Sequence, residues 1–413
     1  MVSRREWTGS FVCIETKDTF RGVMRFNVDI AFKSLNKKNE ELCGDHIELT
    51  KTHNSTILIL ADGMGSGVKA NILSTLTAKI LGTMLHNGSG LDECVETIAK
   101  TLPICQVRQV AYSTFTILQI FDSGETYVVE FDNPSTIFMR EGKVLDLPFY
   151  DREVAGKKVK ECRIYTQQGD MFVLMSDGVT HAGVGKYCDF GWGTKGVSKY
   201  LNENYGGEEA PTRVITGVIE QCKKLYDQYP GDDTTVAAVK VIDKQPVKIF
   251  TGPPLNKEED EKVVRKFMAM EGTSVICGGT SANIVSRVLN RPLEVDLKYF
   301  DPNVPPTATM EGIDLVTEGI VTLNRVLQLL KTYNEGKVDQ AFYEELDKQD
   351  GGARLAKLIL EHCTDINILA GRTINAAYQN PMIPFDFNLR VALIEQLKDA
   401  IENAGKTVNV TYV

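Results

Sequence analysis

Four acidic sites in this chain share one design. They are Gly44-Asp45, Ala61-Asp62-Gly63-Met64-Gly65, Ser176-Asp177-Gly178-Val179 and Gly231-Asp232-Asp233-Thr234. Each sets a carboxylate beside glycine at a strand end. A strand end fixes the backbone, and glycine lets it bend or approach a ligand closely. Carboxylates gathered in one place repel one another unless a cation lies between them. Hard divalent cations take oxygen ligands and keep water in the remaining positions. The set therefore points to one or two Mg²⁺ or Mn²⁺ ions. Any single Asp-Gly is ordinary turn chemistry; four of them, each tied to an apolar strand, are harder to read that way.

The elements that must position these residues are legible as alternating and helical patterns. Val23–Lys33, Asp45–Lys51 and Ser55–Ala61 read as strands. A glycine-rich bend leads to a helix over Val68–Leu85, where Ile72, Leu76, Ile80 and Leu81 recur at helical spacing. A second helix, Leu91–Thr101, opens with Asp92 and Glu93, which suit the positive end of the helix dipole. Strands follow at Thr114–Phe121, Thr126–Phe131, Thr136–Arg140 and Met171–Ser176, with turns near Glu125 and Gly142. A helix at Pro211–Tyr226 precedes a last strand, Thr235–Ile242. Strands, two helices, strands, a helix and a strand describe a layered α/β sandwich of mainly antiparallel sheets.

These motifs, in this order, resemble the metal-dependent protein phosphatases of the type 2C superfamily, in the bacterial branch typified by stage II sporulation protein E. The resemblance runs from about Val28 to Ile242. It is carried by Asp29-Ile-Ala-Phe-Lys33 with Cys43-Gly-Asp45, by Leu60-Ala-Asp-Gly-Met-Gly-Ser-Gly67, and by Thr114-Phe-Thr-Ile117. Asp132-Asn-Pro-Ser135 with Met139-Arg-Glu-Gly142, Leu174-Met-Ser-Asp-Gly-Val179 and Gly231-Asp-Asp-Thr-Thr235 complete it. The resemblance implies an αββα-type sandwich over residues 1–245 and a phosphoserine/phosphothreonine phosphatase using two Mn²⁺ or Mg²⁺ ions. Asp62 then bridges the metals, and the Gly63 carbonyl is a further ligand. Asp45 supports the first ion, directly or through water. Asp177 and Asp232 complete the second site, and Asp233 supports them. The two ions activate a water that attacks phosphorus, so no protein nucleophile is needed. The helices Val68–Leu85 and Leu91–Thr101 are either an activity switch, as in relatives, or plain covering helices.

The sequence departs from the family pattern at His46, where small or hydroxyl residues are usual, and at Asp132-Asn133, where Gly-His is common. His46 is a proton donor or a structural residue. On a strand, its side chain and that of Asp45 point to opposite faces.

A boundary falls near 243–257, where Asp243-Lys-Gln-Pro246 and Thr251-Gly-Pro-Pro-Leu-Asn256 read as a linker or domain edge. Residues 246–413 form a separate α/β domain with a regulatory, sensor or substrate-docking role. Its expected helices are Lys257–Met270, Ser281–Leu289, a long Gly312–Tyr333 and Leu389–Asn403, with two or three more between the last two. The long helix would carry Ile313, Val316, Ile320, Leu323, Leu327 and Leu330 on one face. Strands are expected at Ser274–Cys277, Leu293–Leu297, Asn367–Ala370 and Thr407–Val413. Two loops, Cys277-Gly-Gly-Thr-Ser281 and Ala370-Gly-Arg-Thr-Ile-Asn375, would share the carboxyl edge of a parallel sheet, where open α/β sheets bind ligands. Gly278, Gly279, Thr280, Ser281 and Arg372 are then candidates for holding an anion. Alternatively Thr280 or Ser281 only caps a helix. Asp301–Glu311 is a lid, a partner loop or a surface connection.

Composition sets the outer limits. A charged fraction of 24% and a hydrophobic fraction of 43% exclude disorder as the main theme for these 413 residues. The net charge of −9 is shared by both halves, so nucleic acid has no electrostatic foothold. No apolar run reaches the roughly 18 residues of a membrane helix, and no apolar block follows Met1-Val-Ser-Arg-Arg5 as in a secretory signal. Nine scattered cysteines without a C-x-x-C pair fit reduced thiols in the cytoplasm. The expected partner is a phosphoprotein, of the anti-anti-sigma type by resemblance, with a homodimer and a small-molecule or protein effector of the second domain also compatible. The competing reading is a catalytically weak or inactive phosphatase fold kept for binding. An independent small-molecule enzyme in the second domain finds no acid/base or nucleophile set to support it.

Overall fold

The computed structural model describes residues 26–101, 113–154, 156–296, 306–372 and 386–413. The chain divides into two compact units, Met1–Asp243 and Lys244–Val413.

The first unit starts with β1 (Asn27–Leu35), β2 (Asp45–Lys51) and β3 (Ser55–Gly63), then α1 (Gly67–His86) and α2 (Leu91–Thr101). A run of strands follows: β4 (Ser113–Phe121), β5 (Glu125–Phe131), β6 (Ile137–Arg140), β7 (Lys143–Leu145), β8 (Tyr150–Val154), β9 (Lys157–Tyr165) and β10 (Met171–Met175). The short α3 (Asp177–Thr180), then α4 (Gly193–Asn204) and α5 (Pro211–Leu225), lead to β11 (Thr234–Ile242).

Two antiparallel sheets result, ordered β2-β3-β4-β5-β9-β8 and β1-β11-β10-β6-β7. Alternation along β3 shows how they stack. Leu58 and Leu60 meet Phe138, Phe172, Leu174 and Val239 of the other sheet. Ile57, Ile59 and Ala61 face away, against Leu73, Ala78 and Leu81 of α1 and Val95 of α2. On the far side Val173, Met175, Val236 and Ala238 pack on Val197 and Leu201 of α4 and Val214 and Val218 of α5. The unit is an αββα sandwich, as expected. The strands β7, β8 and β9 and the helix α4 had no counterpart in the sequence reading. Alternation in β8 and β9 is masked by charge, since Tyr150–Val154 and Lys157–Lys160 are mostly charged residues.

One face was misread. Ile72 and Leu76, expected to anchor α1, are 52% and 47% exposed. The buried face is built instead from small residues, Gly67, Ala70, Ser74, Thr77, Ala78 and Gly82, with Leu73 and Leu81. The reason is closeness: a Cβ on Gly63 at the end of β3 would lie 2.0 Å from the Ala70 carbonyl oxygen. Bulky residues cannot occupy that side of the helix.

The second unit begins with β12 (Pro246–Thr251), α6 (Asp260–Ala269), β13 (Thr273–Cys277) and α7 (Gly279–Leu289). Next come β14 (Glu294–Val295), β15 (Ala308–Met310), β16 (Ile313–Thr317), α8 (Ile320–Asn334), α9 (Gln340–Leu346) and α10 (Gly351–Glu361). It closes with β17 (Asp365–Ala370), α11 (Asp386–Asn403) and β18 (Thr407–Tyr412). The sheet order is β14-β15-β16-β13-β12-β17-β18, and β16, β13, β12, β17 and β18 run parallel. Helices α8 to α11 cover one face through Val247, Ile249, Val275 and Ile368. Helices α6 and α7 cover the other through Phe250, Ile276, Val316 and Leu369.

Two expectations are corrected here. Pro246–Thr251, within the stretch expected to be a linker or domain edge, is an interior strand of this sheet; proline is tolerated because it occupies the strand's first position. The single helix expected over Gly312–Tyr333 is strand β16 followed by α8. A short apolar run such as Ile313-Asp-Leu-Val-Thr317 fits either period, and the break at Gly319 separates the two. Leu323, Leu327 and Leu330 are buried as expected, but Ile320 is exposed.

Candidate functional site

The antiparallel register sets Asp45 at the start of β2 directly opposite Asp62 near the end of β3. Paired residues share a face, and alternation from Leu58 and Leu60 turns that face toward the second sheet. His46 therefore points the other way. Its ring contacts the Thr75 hydroxyl of α1 at 3.4 Å and Glu48 at 3.5 Å, away from the carboxylates. From the second sheet, β10 delivers Asp177 as the first residue of α3, and Asp232 and Asp233 lie just ahead of β11.

Asp45, Asp62 and Asp177 each respond to neighbouring carboxylates. Burial first, then Asp45, Asp177, Asp232 and Asp233, push Asp62 up to about 9. Burial also pushes Asp45 up to about 7. The nearby Ser176 and Thr235 hydroxyls offset part of that, and Asp233 and Asp177 add to it. Asp177 is raised by burial and by Asp232, with His181 pulling it back. Asp45 is only 5% exposed, and neither of its carboxylate oxygens has a hydrogen bond of good geometry. Asp233 is also buried; the Lys37 N–H donates to its Oδ1 at 2.9 Å, while its Oδ2 is buried without a partner.

Supports surround the cluster. The Ser113 hydroxyl donates to the Asp62 carbonyl at 2.9 Å. The Tyr226 hydroxyl donates to the Gly178 carbonyl at 2.6 Å. Glycine is required at two approaches: a Cβ on Gly178 would lie 2.0 Å from the Asp233 carbonyl oxygen, and one on Gly44 would lie 2.8 Å from Asp233 Oδ2. Asn133, where the sequence departs from the family pattern, accepts from the Thr114 hydroxyl at 2.5 Å and donates to Thr116 at 3.2 Å. Thr114 is the β4 partner of Asp62, so this side chain braces the strand next to the aspartate.

Two residues join the site that sequence reasoning had passed over. Lys37 Nζ lies 3.4 Å from Asp232 Oδ1. Nothing local announced it, since 195 positions separate the two. His181 Nδ1 lies 3.7 Å from Asp177 Oδ2. Its signal was present: four residues on from Asp177, it returns to the same helical face.

The donor set fits a hard divalent cation. It consists of oxygens, it is negative, and three buried carboxylate oxygens lack any hydrogen-bond partner among the described residues. Among the described residues, no three acidic, histidine or cysteine side chains already close on one point as a metal-binding group. Unneutralised carboxylates repel, so an open arrangement is what electrostatics dictates without the ion.

Residues 52–242 match the family model for stage II sporulation protein E. This stretch is similar to the stage II sporulation protein E domain. No curated protein matches the chain. Among solved structures, the chain is similar to the type 2C phosphatase domain and regulatory-domain fragment of SpoIIE from Bacillus subtilis. The identity is 18%, over 52% of this chain and 62% of that one, with a TM-score of 0.45. It is similar to the RsbU and RsbW domains of a Mycobacterium tuberculosis protein at 16% identity, covering 60% and 71% of the two chains, with a TM-score of 0.44. It is also similar to RsbX in complex with magnesium, at 18% identity over 52% and 95%, with a TM-score of 0.37. The family stretch holds Asp62, Asp177, Asp232 and Asp233; Asp45 precedes it.

In the second unit, Gly278, Gly279, Thr280 and Ser281 line a cleft of about 740 Å³ at the carboxyl ends of β12, β13 and β16. Arg372 does not line it. Its N–H donates to the Val413 carbonyl at 2.9 Å, and its guanidinium lies over the Tyr412 ring. The expected loop beyond Arg372, and the first part of Asp301–Glu311, lie outside the described residues. Among the described residues no helix is long and apolar enough to cross a membrane.

Proposed function

We propose that the first unit hydrolyses phosphoserine and phosphothreonine esters in a protein substrate, with divalent cations held by Asp45, Asp62, Asp177 and Asp232. Asp233 and the Gly63 carbonyl belong to the same set. The observation that carries this reading is Asp45, a buried carboxylate with no hydrogen-bond partner among the described residues, facing Asp62 across β2 and β3. Leaving such a group unpartnered is costly, and a cation is what the surrounding oxygens can accommodate.

Two bound Mn²⁺ or Mg²⁺ ions would supply a hydroxide near neutral pH and polarise the phosphoryl oxygens. The chain's own residues supply the rest. Asp62, pushed up to about 9 by burial and its acidic neighbours, would hold a proton at neutral pH without an ion and would bind one as the carboxylate. Lys37, beside Asp232, and His181, beside Asp177, are cationic or protonatable groups at the rim. A cysteine route finds no support, since burial first, with Asp45 and Asp233 adding, pushes the nearby Cys43 thiol up to about 12. The second unit, with its own sheet and core, serves as the controlling or docking part.

Release of phosphate from phosphoserine, phosphothreonine and phosphotyrosine peptides tests the substrate class. Mn²⁺-dependent release from the first two, with the tyrosyl peptide far slower, is the expected result. Equal or faster release from phosphotyrosine would remove the Ser/Thr assignment.

A further inference from the structure

The cleft in the second unit lies where Thr251, Cys277 and Thr317 end three adjacent parallel strands. Its floor includes the N-terminus of the eleven-residue α7. That terminus is built without a side-chain cap: the N-cap is Gly278, at φ +130, a backbone conformation only glycine takes readily. The first bond inside the helix runs from the Ala282 N–H to the Gly278 carbonyl. The N–H groups of Gly279 and Ser281 precede it and have no acceptor within the helix. The neighbouring helix α8 is arranged differently, for the Glu318 carboxylate accepts from the Val321 N–H at 3.1 Å and so serves its own helix.

A second, independent feature points to the same spot. Ser281 is fully buried, lines the cleft, and its hydroxyl has no hydrogen-bond partner among the described residues. Its oxygen lies 3.6 Å from where a Cβ of Gly278 would stand. A buried hydroxyl without a partner is costly, and one beside bare helix N–H groups is a donor awaiting an acceptor. Arg390 stands at the other side of the cleft, over the Gly252 turn. Much of the remaining wall is apolar, with Val295, Ile320 and Val321 at 55%, 41% and 46% exposed, while Glu318 and Asn283 also line it.

We propose that this cleft binds a small organic phosphate. The phosphate oxygens accept from the Gly279 and Ser281 N–H groups and the Ser281 hydroxyl, with Arg390 adding positive charge. A tetrahedral anion offers enough acceptors for these donors, and helix N-termini favour negative charge. The apolar or flat body covers Val295 and Ile320. The volume is in the range of small-molecule sites. The assignment stands whether or not the first unit is a phosphatase.

Calorimetric titration of the full chain, in chelator so that the acidic site holds no cation, tests it. The probes are AMP, ADP, ribose 5-phosphate and inorganic pyrophosphate, with adenosine as the uncharged control. At least one organic phosphate should bind once per chain, at least tenfold tighter than adenosine and pyrophosphate. Ser281→Ala should weaken it at least tenfold. Gly279→Asp should abolish it, because the new carboxylate occupies the anion's place. Among the described residues no atom lies within 4 Å of a Cβ at Gly279, and Ser281→Ala removes a buried hydroxyl without a partner among the described residues, so both variants should unfold at or above the wild-type temperature. The proposal falls if no organic phosphate binds, if adenosine or pyrophosphate binds as tightly, or if both variants bind like the wild type.

Discussion

With no cation between them, Asp45 and Asp62 are two buried acids in one field, raised to about 7 and about 9. In an unfolded chain both titrate near the ordinary aspartate value of about 4. Between that value and the raised ones, the folded state binds more protons than the unfolded state, so stability falls as pH rises. The ion-free first unit should therefore melt at progressively lower temperature from about pH 5 to pH 9. Saturating Mn²⁺ should flatten or reverse that slope, and Asp62→Asn should flatten it without metal. Melting curves at several pH values read this directly, and an ion-free slope that is flat or positive would show that the carboxylates do not share one field. The acids were legible as residues, because glycine and a strand end accompany each. Their partners Lys37, Asn133 and Tyr226 were not, because nothing in a local pattern brings together residues so far apart in the chain.

Helix α1 is held at the site by closeness. Gly63→Ala would set a methyl group 2.0 Å from the Ala70 carbonyl oxygen. The helix must then move off the end of β3, at a cost of about 1–3 kcal/mol, and the aspartate beside it moves too. Urea unfolding should show that loss together with weakened Mn²⁺ binding; a variant with full stability would mean that the contact is not tight. The same helix offers a contrast between its faces. Leu81→Ala, in the core under α1, should cost about 2–5 kcal/mol. Ile72→Gln, on the exposed stripe with Val68 and Leu76, should change stability by no more than about 0.5 kcal/mol. Helical spacing alone suggested the opposite for Ile72. Periodicity finds an apolar stripe but does not say which stripe faces the sheet, and here small residues won that face. Likewise the Gly319 break between β16 and α8 was present in the sequence. A five-residue apolar strand beside a helical run was absorbed into the helix, since both carry apolar residues at compatible spacings.

At the scale of the whole chain, the αββα layering was legible because element order and antiparallel turns leave few alternatives. The parallel order of the second sheet depended on β12, which the proline and glycine around it had disguised. Charge also acts at this scale. A net charge of −9 and the acid cluster together attract cations, and salt screens that attraction over a Debye length of about 10 Å at 0.1 M. Apparent Mn²⁺ affinity should fall several-fold between about 0.05 and 0.5 M salt, measured by calorimetry; salt-independent binding would point to ligands outside the acidic site. The central claim is that the cluster on β2, β3, α3 and the start of β11 holds the cations that hydrolyse a phosphate ester. Steady-state hydrolysis of an aryl phosphate by the full chain, with Mn²⁺ and with chelator, and by Asp62→Asn, tests it most directly. The account predicts turnover only with added metal, and a loss of at least a thousandfold in the variant, roughly 4 kcal/mol of transition-state stabilisation. Turnover that survives chelator, or that Asp62→Asn retains, would contradict it.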